Sequence, residues 1–467
     1  MGSQENKFSS DYLILKPEEA TLLHLFLFTL PFGYRKLRNL VDCPVAKENS
    51  YTTFGNRWVI FISILLQKFL LAIANLIKYC KSMRGKFHKT CAAPKVNCKE
   101  WKIIGMEKNI KLADDDTFKY YGALTVMASN LAYQDYNSPE PSVVQTVVNG
   151  CWKMNLLGCY DFWNDFQNKA TTQVFMFQNT ATDPNVTVVA FRGSSEIYDW
   201  MVDLNLSWYN IEGIGKIHGG FMQALGLQKG TGWPKELANP DHDFAYYTLR
   251  QQLRDIVKSN DNARFIFTGH SLGGALAVLF ATLLAFHDDA TLLEKLQAVY
   301  TFGQPRVGDR RFAQFMENTI EKYGFKYYRY VYSSDLVPRV PFDFNDNLWY
   351  EHFGGCVYFN CSYNGKFLEV QPNKNYFSPI WLISKYVSAW WELIRSLMIP
   401  VIKCSSDYLE GFSNLLLRLF GLLFPGASAH MCLNYINSIR WGKCNHEKTL
   451  IPAAEHQNVE KMNISNI

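Results

Sequence analysis

The sequence predicts an α/β fold with a mainly parallel central sheet covered by helices. From about Leu112 to Phe342, short β runs alternate with stretches of helical periodicity, and a β-α-β-α-β order places crossover helices between parallel strands. Within that stretch, Gly269-His270-Ser271-Leu272-Gly273 lies just after a β run and just before an Ala- and Leu-rich helix. The chain is also large and apolar enough to bury such a sheet without staples: 467 residues, 48% hydrophobic and 19% charged, against about 25% charged in an average soluble protein.

In chain order, Val174–Gln178 and Val186–Phe191 read as strands and Asp241–Ser259 as a helix. Arg264–Thr268 follows as a strand, then Gly273–Phe286 as an amphipathic helix, Ala298–Phe302 as a strand, Asp309–Tyr323 as a helix and Tyr327–Tyr332 as a strand. The length exceeds the roughly 250–300 residues at which one core stops growing. Substantial extra segments are therefore expected: an N-terminal region over 1–110, and a domain over 111–467 with an apolar helical insertion at about 376–425.

Both extra segments are amphipathic. Ala20–Tyr34 is uncharged but too short to span a bilayer and is broken by Pro31, which predicts a dipping or buried segment. Trp58–Ile77 is long enough to span, yet Asn56, Arg57, Ser63, Gln67, Lys68, Asn75, Lys78 and Lys81 share an arc of roughly 140°. With Arg84, Lys86 and Lys89 beyond, this is the pattern of an interfacial helix on an anionic surface; a helix docked on the protein's own body gives the same moment, and a transmembrane span stays open because one Lys among twenty apolar residues is costly but tolerable. After Ser378-Pro379, which resembles a capped helix start, Ser384, Lys385, Ser388, Glu392, Arg395 and Ser396 share an arc of roughly 120° opposite Trp390. That helix and Leu415–Phe424 form either a second lipid-facing surface or a cap over the core.

The charge balance, 47 basic against 42 acidic residues, gives +5, too weak and dispersed for a nucleic-acid partner. Eleven cysteines lack paired C-x-x-C spacing, so no metal site is expected. The polar start Met1–Lys7 is unlike a secretory signal. Reduced thiols in the cytosol are the resulting expectation, with the sequons at Asn185, Asn205, Asn360 and Asn463 idle.

Ser271 occupies the position of a nucleophile elbow. Glycines two residues before and after it let the backbone turn sharply and lift the hydroxyl above the sheet edge at a helix N-terminus. A serine needs a base, and the base an orienting carboxylate, which in this chain order follow the serine as acid then histidine. Asp335 fits the acid, directly after the strand Tyr327–Tyr332. Asp309 starts a helix and serves as a cap, while Asp343 and Asp346 sit in a polar turn. Among the downstream histidines, His446 and His456 lie in a polar tail and His352 in an aromatic, strand-like stretch. His430, on the connection after Pro425–Ala429, is the favoured base.

With these residues assembled, the chain resembles the class 3 lipases, which include the fungal triacylglycerol lipases. The resemblance covers roughly Leu112 to Tyr435 and extends to Val189–Ser194, Asp199-Trp200, His218–Phe221, Thr301–Gly308 and Asp335–Pro338. The N-terminal extension and the apolar insertion before His430 look most like the plant oil body lipases. The resemblance implies an α/β-hydrolase fold, a Ser271–Asp335–His430 triad, an oxyanion hole from the backbone N–H groups of Ser194 and Leu272, and a lid over Ser195–Asp203. About 95 positions separate Asp335 from His430, more than in the compact fungal enzymes. On the lid, Ile197, Trp200 and Met201 form one apolar stripe at i, i+3 and i+4. The expected activity is hydrolysis of acylglycerol esters at a lipid droplet or membrane surface through an acyl-enzyme, without metal or cofactor. A phospholipase or galactolipase A1 uses the same triad, and a catalytically silent lipase-like binding protein uses the same fold.

Overall fold

A computed structural model describes residues 8–30, 32, 37–68, 96–103, 114–134, 141–180, 185–194, 206–238, 240–341, 350–374, 376, 378–403 and 412–444. Its strands are β1 (Tyr12–Leu15), β2 (Val41–Asp42), β3 (Asn155–Asn164), β4 (Lys169–Asn179), β5 (Val186–Phe191), β6 (Trp208–Ile211), β7 (Gly215–His218), β8 (Arg264–His270), β9 (Leu296–Phe302), β10 (Lys326–Tyr332), β11 (Cys356–Phe359), β12 (Asn364–Leu368) and β13 (Lys443–Cys444). Nine build one sheet in the order β13-β12-β11-β10-β9-β8-β5-β4-β3. Its centre, β5 through β8, β9 and β10 to β11, is parallel throughout, and antiparallel β4 and β3 extend one edge.

The helices that matter here are α1 (Leu22–Thr29), α2 (Asp114–Leu131), α3 (Ala245–Ser259), α4 (Leu272–Phe286), α5 (Arg310–Tyr323), α6 (Leu382–Lys403), α7 (Phe412–Gly421), α8 (Pro425–Ala429) and α9 (Cys432–Trp441). Successive strand side chains alternate between the two faces of the sheet. Along β8, Phe265 and Phe267 join a core shared with α3, α4 and α5, whereas Ile266 joins a second core shared with α2 and α9. The sheet is thus covered on both faces, which suits apolar parallel strands. Helix α4 is buried on nearly every side, as its continuous Ala/Leu/Val/Phe composition requires.

A smaller antiparallel sheet, β2-β1-β6-β7, was not foreseen. In it the N-terminal β1 pairs with β6 (Tyr12 with Tyr209, Leu13 with Trp208), and Leu13, Leu25, Phe28, Ile60 and Ile64 form a third core with Leu206, Trp208 and Tyr350. Residues 54–68 are helical. This helix buries Asn56, Ile60, Ile64 and Gln67 at i, i+4, i+8 and i+11, and exposes Phe54, Trp58, Ile62 and Leu65 on the opposite side. Asn56 donates to the Ser50 carbonyl at 2.7 Å, and Arg57 to the carbonyls of Phe28 and Leu30. Part of the polar arc therefore faces the protein. Among the described residues no helix is long and apolar enough to cross a membrane.

Helix α6 is inverted in the same sense. Lys385, Glu392, Arg395 and Ser396 are buried, while Ile383, Val387, Trp390 and Ile394 are exposed. Ser378 precedes it without making a side-chain cap bond.

One expectation is corrected. Cys98 and Cys151 form a disulfide, so the thiols are not all reduced. Segment 96–103 packs beside the turn ending at Cys151, where the Trp152 indole N–H donates to the Trp101 carbonyl at 2.7 Å. A pairing across 53 residues leaves no local spacing to read.

Candidate active site

Strand β8 ends at His270 and α4 starts at Leu272, leaving Ser271 alone at the corner with φ 60° and ψ −130°. A positive φ on a residue with a side chain persists only where the surroundings impose it. Here the Ser271 N–H donates to the Phe302 carbonyl at 2.9 Å and the Ser271 carbonyl accepts from Gly274 at 3.0 Å. A Cβ on Gly269 would overlap the Gly273 carbonyl group, and one on Gly273 would overlap the Phe191 carbonyl. The corner closes only with glycine at both places.

Asp335 lies just past β10 and is fully buried. Its Oδ1 accepts from the Val337 N–H at 2.9 Å, and its backbone carbonyl accepts from Arg339. That guanidinium also holds the carbonyls of Ser333, Pro372 and Asn373, fixing the loop from several sides.

His430 closes α8, with Nδ1 at 2.8 Å from Asp335 Oδ2 and 3.0 Å from Oδ1. A carboxylate only accepts, so Nδ1 carries a proton, and in the neutral ring the lone pair is on Nε2. The ring of His270, chain neighbour of Ser271, stacks on His430 with centroids 4.5 Å apart. Serine, histidine and aspartate thus converge at the carboxyl ends of β8 and β10.

His352 has a different environment. Its Nε2 donates to the Pro338 carbonyl at 2.7 Å. Burial first, then Arg329 and Arg306, push its pKa well below the ordinary value, so it stays neutral. Asp309 caps α5, accepting from the Phe312 N–H at 3.0 Å. Asp343, Asp346, His446 and His456 lie outside the described residues.

Ser194 follows Gly193 just past β5, and Leu272 is the first residue of α4, where backbone N–H groups have no intrahelical acceptor. Their segments are pressed together: a Cβ on Gly193 would lie 2.6 Å from the His270 carbonyl. Ile197, Trp200 and Met201, expected on a lid over Ser195–Asp203, lie outside the described residues.

The description of the lipase (class 3) family matches residues 188–345. Over 93% of this chain and 96% of its relative, the sequence is 32% identical to triacylglycerol lipase OBL1 of Arabidopsis thaliana. It is also 32% identical, over 93% of this chain and 95% of the relative, to the protein of the same name from Ricinus communis. The chain belongs to the class 3 lipase family. A lipase of Rhizomucor miehei is 35% identical over a shorter stretch, 33% of this chain and 37% of the relative.

Three residues at the centre of this class 3 lipase escaped the sequence as site residues. Gly303, at φ +61°, leaves room for the His430–Asp335 pair: a Cβ there would lie 2.9 Å from His430 Cε1 and 3.0 Å from Asp335 Oδ2. Tyr435 donates its hydroxyl to Asp335 Oδ2. Tyr133 contacts His270, with Oη 2.8 Å from Nδ1. Only Gly303 carried a signal, as part of the Thr301–Gly308 stretch; the tyrosines act across 100 and 137 residues, beyond any local motif.

Proposed function

We propose that this protein is a triacylglycerol lipase that works at a lipid droplet surface through an acyl-enzyme. Ser271 Oγ attacks the ester carbonyl while His430 Nε2 takes its proton, and Asp335 stabilises the imidazolium through Nδ1–H. Backbone N–H groups of Ser194 and Leu272 receive the developing oxyanion, prearranged donors whose loss typically costs about 10²–10³ in turnover. His430 then gives its proton to the leaving diacylglycerol oxygen. Water, activated by the same base, releases the fatty acid.

The observation carrying this reading is the buried His430–Asp335 pair at 2.8 Å beside the strained Ser271 corner, in a chain matched over 93% of its length by relatives named triacylglycerol lipase. The lipid surface is supported by inverted amphipathicity. Helix 54–68 and α6 turn polar residues inward and Trp58, Ile62, Ile383, Val387 and Trp390 outward, and such apolar faces gain from burial in acyl chains. We assign Ile197, Trp200 and Met201 to a lid that exchanges cover over Ser271 for burial in lipid.

The test is release of fatty acid from emulsified triacylglycerol, compared with phosphatidylcholine and galactolipid vesicles, using wild type and Ser271→Ala. Release from the emulsion alone, lost in Ser271→Ala, is expected. Faster release from the vesicles assigns the activity to a phospholipase or galactolipase A1, and no release from any substrate assigns the chain to lipase-like binding.

A further inference from the structure

We propose that Tyr133 and His270 are positioning residues for the base: Tyr133 sets the tautomer of His270, and His270 holds His430 by its backbone and its ring face. The inference rests on the Ser271–His430–Asp335 reading.

Three contacts carry it. His270 Nε2 lies 2.8 Å from the His430 carbonyl, and a carbonyl only accepts, so Nε2 bears the hydrogen. In a neutral ring Nδ1 then offers a lone pair, and Tyr133 Oη, 2.8 Å away, is its donor. The His270 ring stacks on that of His430 at 4.5 Å and 29°. The other titratable groups facing this pair are Tyr435, edge-on to His270 at 5.6 Å, and Asp335 beyond His430.

Charge explains why the tautomer matters. His430 becomes cationic when it takes the serine proton, and a neutral aromatic face beside it tolerates that charge whereas an imidazolium repels it. Burial first, then His430, hold the His270 pKa well below the ordinary value, which keeps the face neutral. Tyr133 reinforces this, because a donor on Nδ1 opposes protonation there. The same hydroxyl fills the space a Cβ on Gly193 would need, so one side chain abuts both the histidine pair and the loop bearing Ser194.

The test uses the full-length protein and a dissolved p-nitrophenyl butyrate substrate, with pH profiles for Tyr133→Phe, His270→Gln, His270→Phe and Tyr133→Phe/His270→Gln. Tyr133→Phe should lower kcat about tenfold or more with KM within about twofold, as for a displaced catalytic group. It should also move the acid limb to higher pH, because losing the donor on Nδ1 raises the His270 pKa from its depressed value. Glutamine retains an amide donor but has no comparable protonation, so the double variant should recover the wild-type acid limb. His270→Phe keeps the ring face but loses the donor, and should lower kcat by about 10²-fold. An unmoved acid limb in Tyr133→Phe, a shift that persists in the double variant, or full activity in His270→Phe each overturns the inference. His430→Ala separates the two levels: if it stays active the triad reading falls, and if it is inactive while the Tyr133→Phe limb is unmoved only the positioning role falls.

Discussion

Arg418 Nη1 lies 2.9 Å from Glu392 Oε2, a buried ion pair joining α7 to α6 beneath an outer face of Trp390, Ile394 and Leu417. Arg418 also donates to Asn434 Oδ1, and the Asn434 amide donates to the carbonyls of Ser428 and Ala429, next to His430. The insertion is thereby tied to the segment that carries His430. Breaking one partner of a buried pair leaves the other charge uncompensated, at a cost of about 3–5 kcal/mol. Glu392→Ala should lose stability of that order in urea unfolding. A loss below about 0.5 kcal/mol, the size seen at ordinary surface sites, would mean that water reaches the pair.

The triad is predicted to act as a unit. Ser271→Ala and His430→Ala should each lower turnover by several orders of magnitude, and Asp335→Asn somewhat less. His352→Ala should keep catalysis in whatever fraction remains folded, because its contact is with the Pro338 carbonyl and not with Asp335. Circular dichroism spectra and urea midpoints measured for every variant beside its rate separate catalysis from folding. An inactive His352 site with an active His430→Ala site would reverse the assignment.

What was legible in the sequence follows from the range over which each feature is encoded. Strands β5, β8, β9 and β10 and helices α3, α4 and α5 lie within short, strongly patterned segments, and the observed bounds fall within a few residues of those expected. The strand-to-helix corner at Ser271 is encoded in five consecutive residues. By contrast, β1 and β6 are four residues each and pair across nearly 200 positions, so neither carries enough pattern to be recognised alone. Periodicity grouped Asn56 with Gln67 on helix 54–68, and Lys385 with Glu392, Arg395 and Ser396 on α6, but did not give the direction they face, while Asn75, Lys78, Lys81, Arg84, Lys86 and Lys89 lie outside the described residues. Whether a polar arc faces water or protein depends on partners such as the Ser50 carbonyl and Arg418, which only the tertiary structure supplies.

Gly303 has no room for a methyl group. Its φ of +61° is strained for any other residue, and the Cβ would press on His430 and Asp335 together. Gly303→Ala should therefore lower kcat by about 10²-fold or more, since a displacement near 1 Å in a catalytic group has that effect. Its circular dichroism spectrum should remain that of the wild type. Unchanged kcat in this variant would show that the His430–Asp335 geometry tolerates the displacement.

The Cys98–Cys151 bond closes a loop of 53 residues. Loop-closure entropy for that length amounts to about 4 kcal/mol as an upper figure, with measured values for disulfides commonly 2–4 kcal/mol. Cys98→Ser should lower the urea midpoint accordingly, and dithiothreitol should lower that of the wild type but not of the variant. Equal midpoints for wild type with and without reductant would place little of the stability in this crosslink.

Surface attachment should depend on the outward side chains of α6 rather than on its buried arc. Ile383, Val387 and Trp390 recur at i, i+4 and i+7, all more than half exposed, while the charges that keep a surface helix in water, Lys385, Glu392 and Arg395, are turned into the protein. Fully burying a large apolar side chain is worth about 1.5–3 kcal/mol. Replacing Ile383 and Trp390 by serine therefore removes enough to weaken partition onto a droplet by about 10²-fold or more. Because neither side chain reaches the buried network, the helix should stay folded and hydrolysis of a dissolved short-chain ester should persist. Flotation of the Ile383→Ser/Trp390→Ser protein with triacylglycerol droplets in a density gradient, beside its rate on the dissolved ester, measures both. Undiminished flotation would assign the docking to helix 54–68 or elsewhere. A parallel loss on the dissolved ester would make α6 part of the catalytic scaffold instead of a lipid-facing surface.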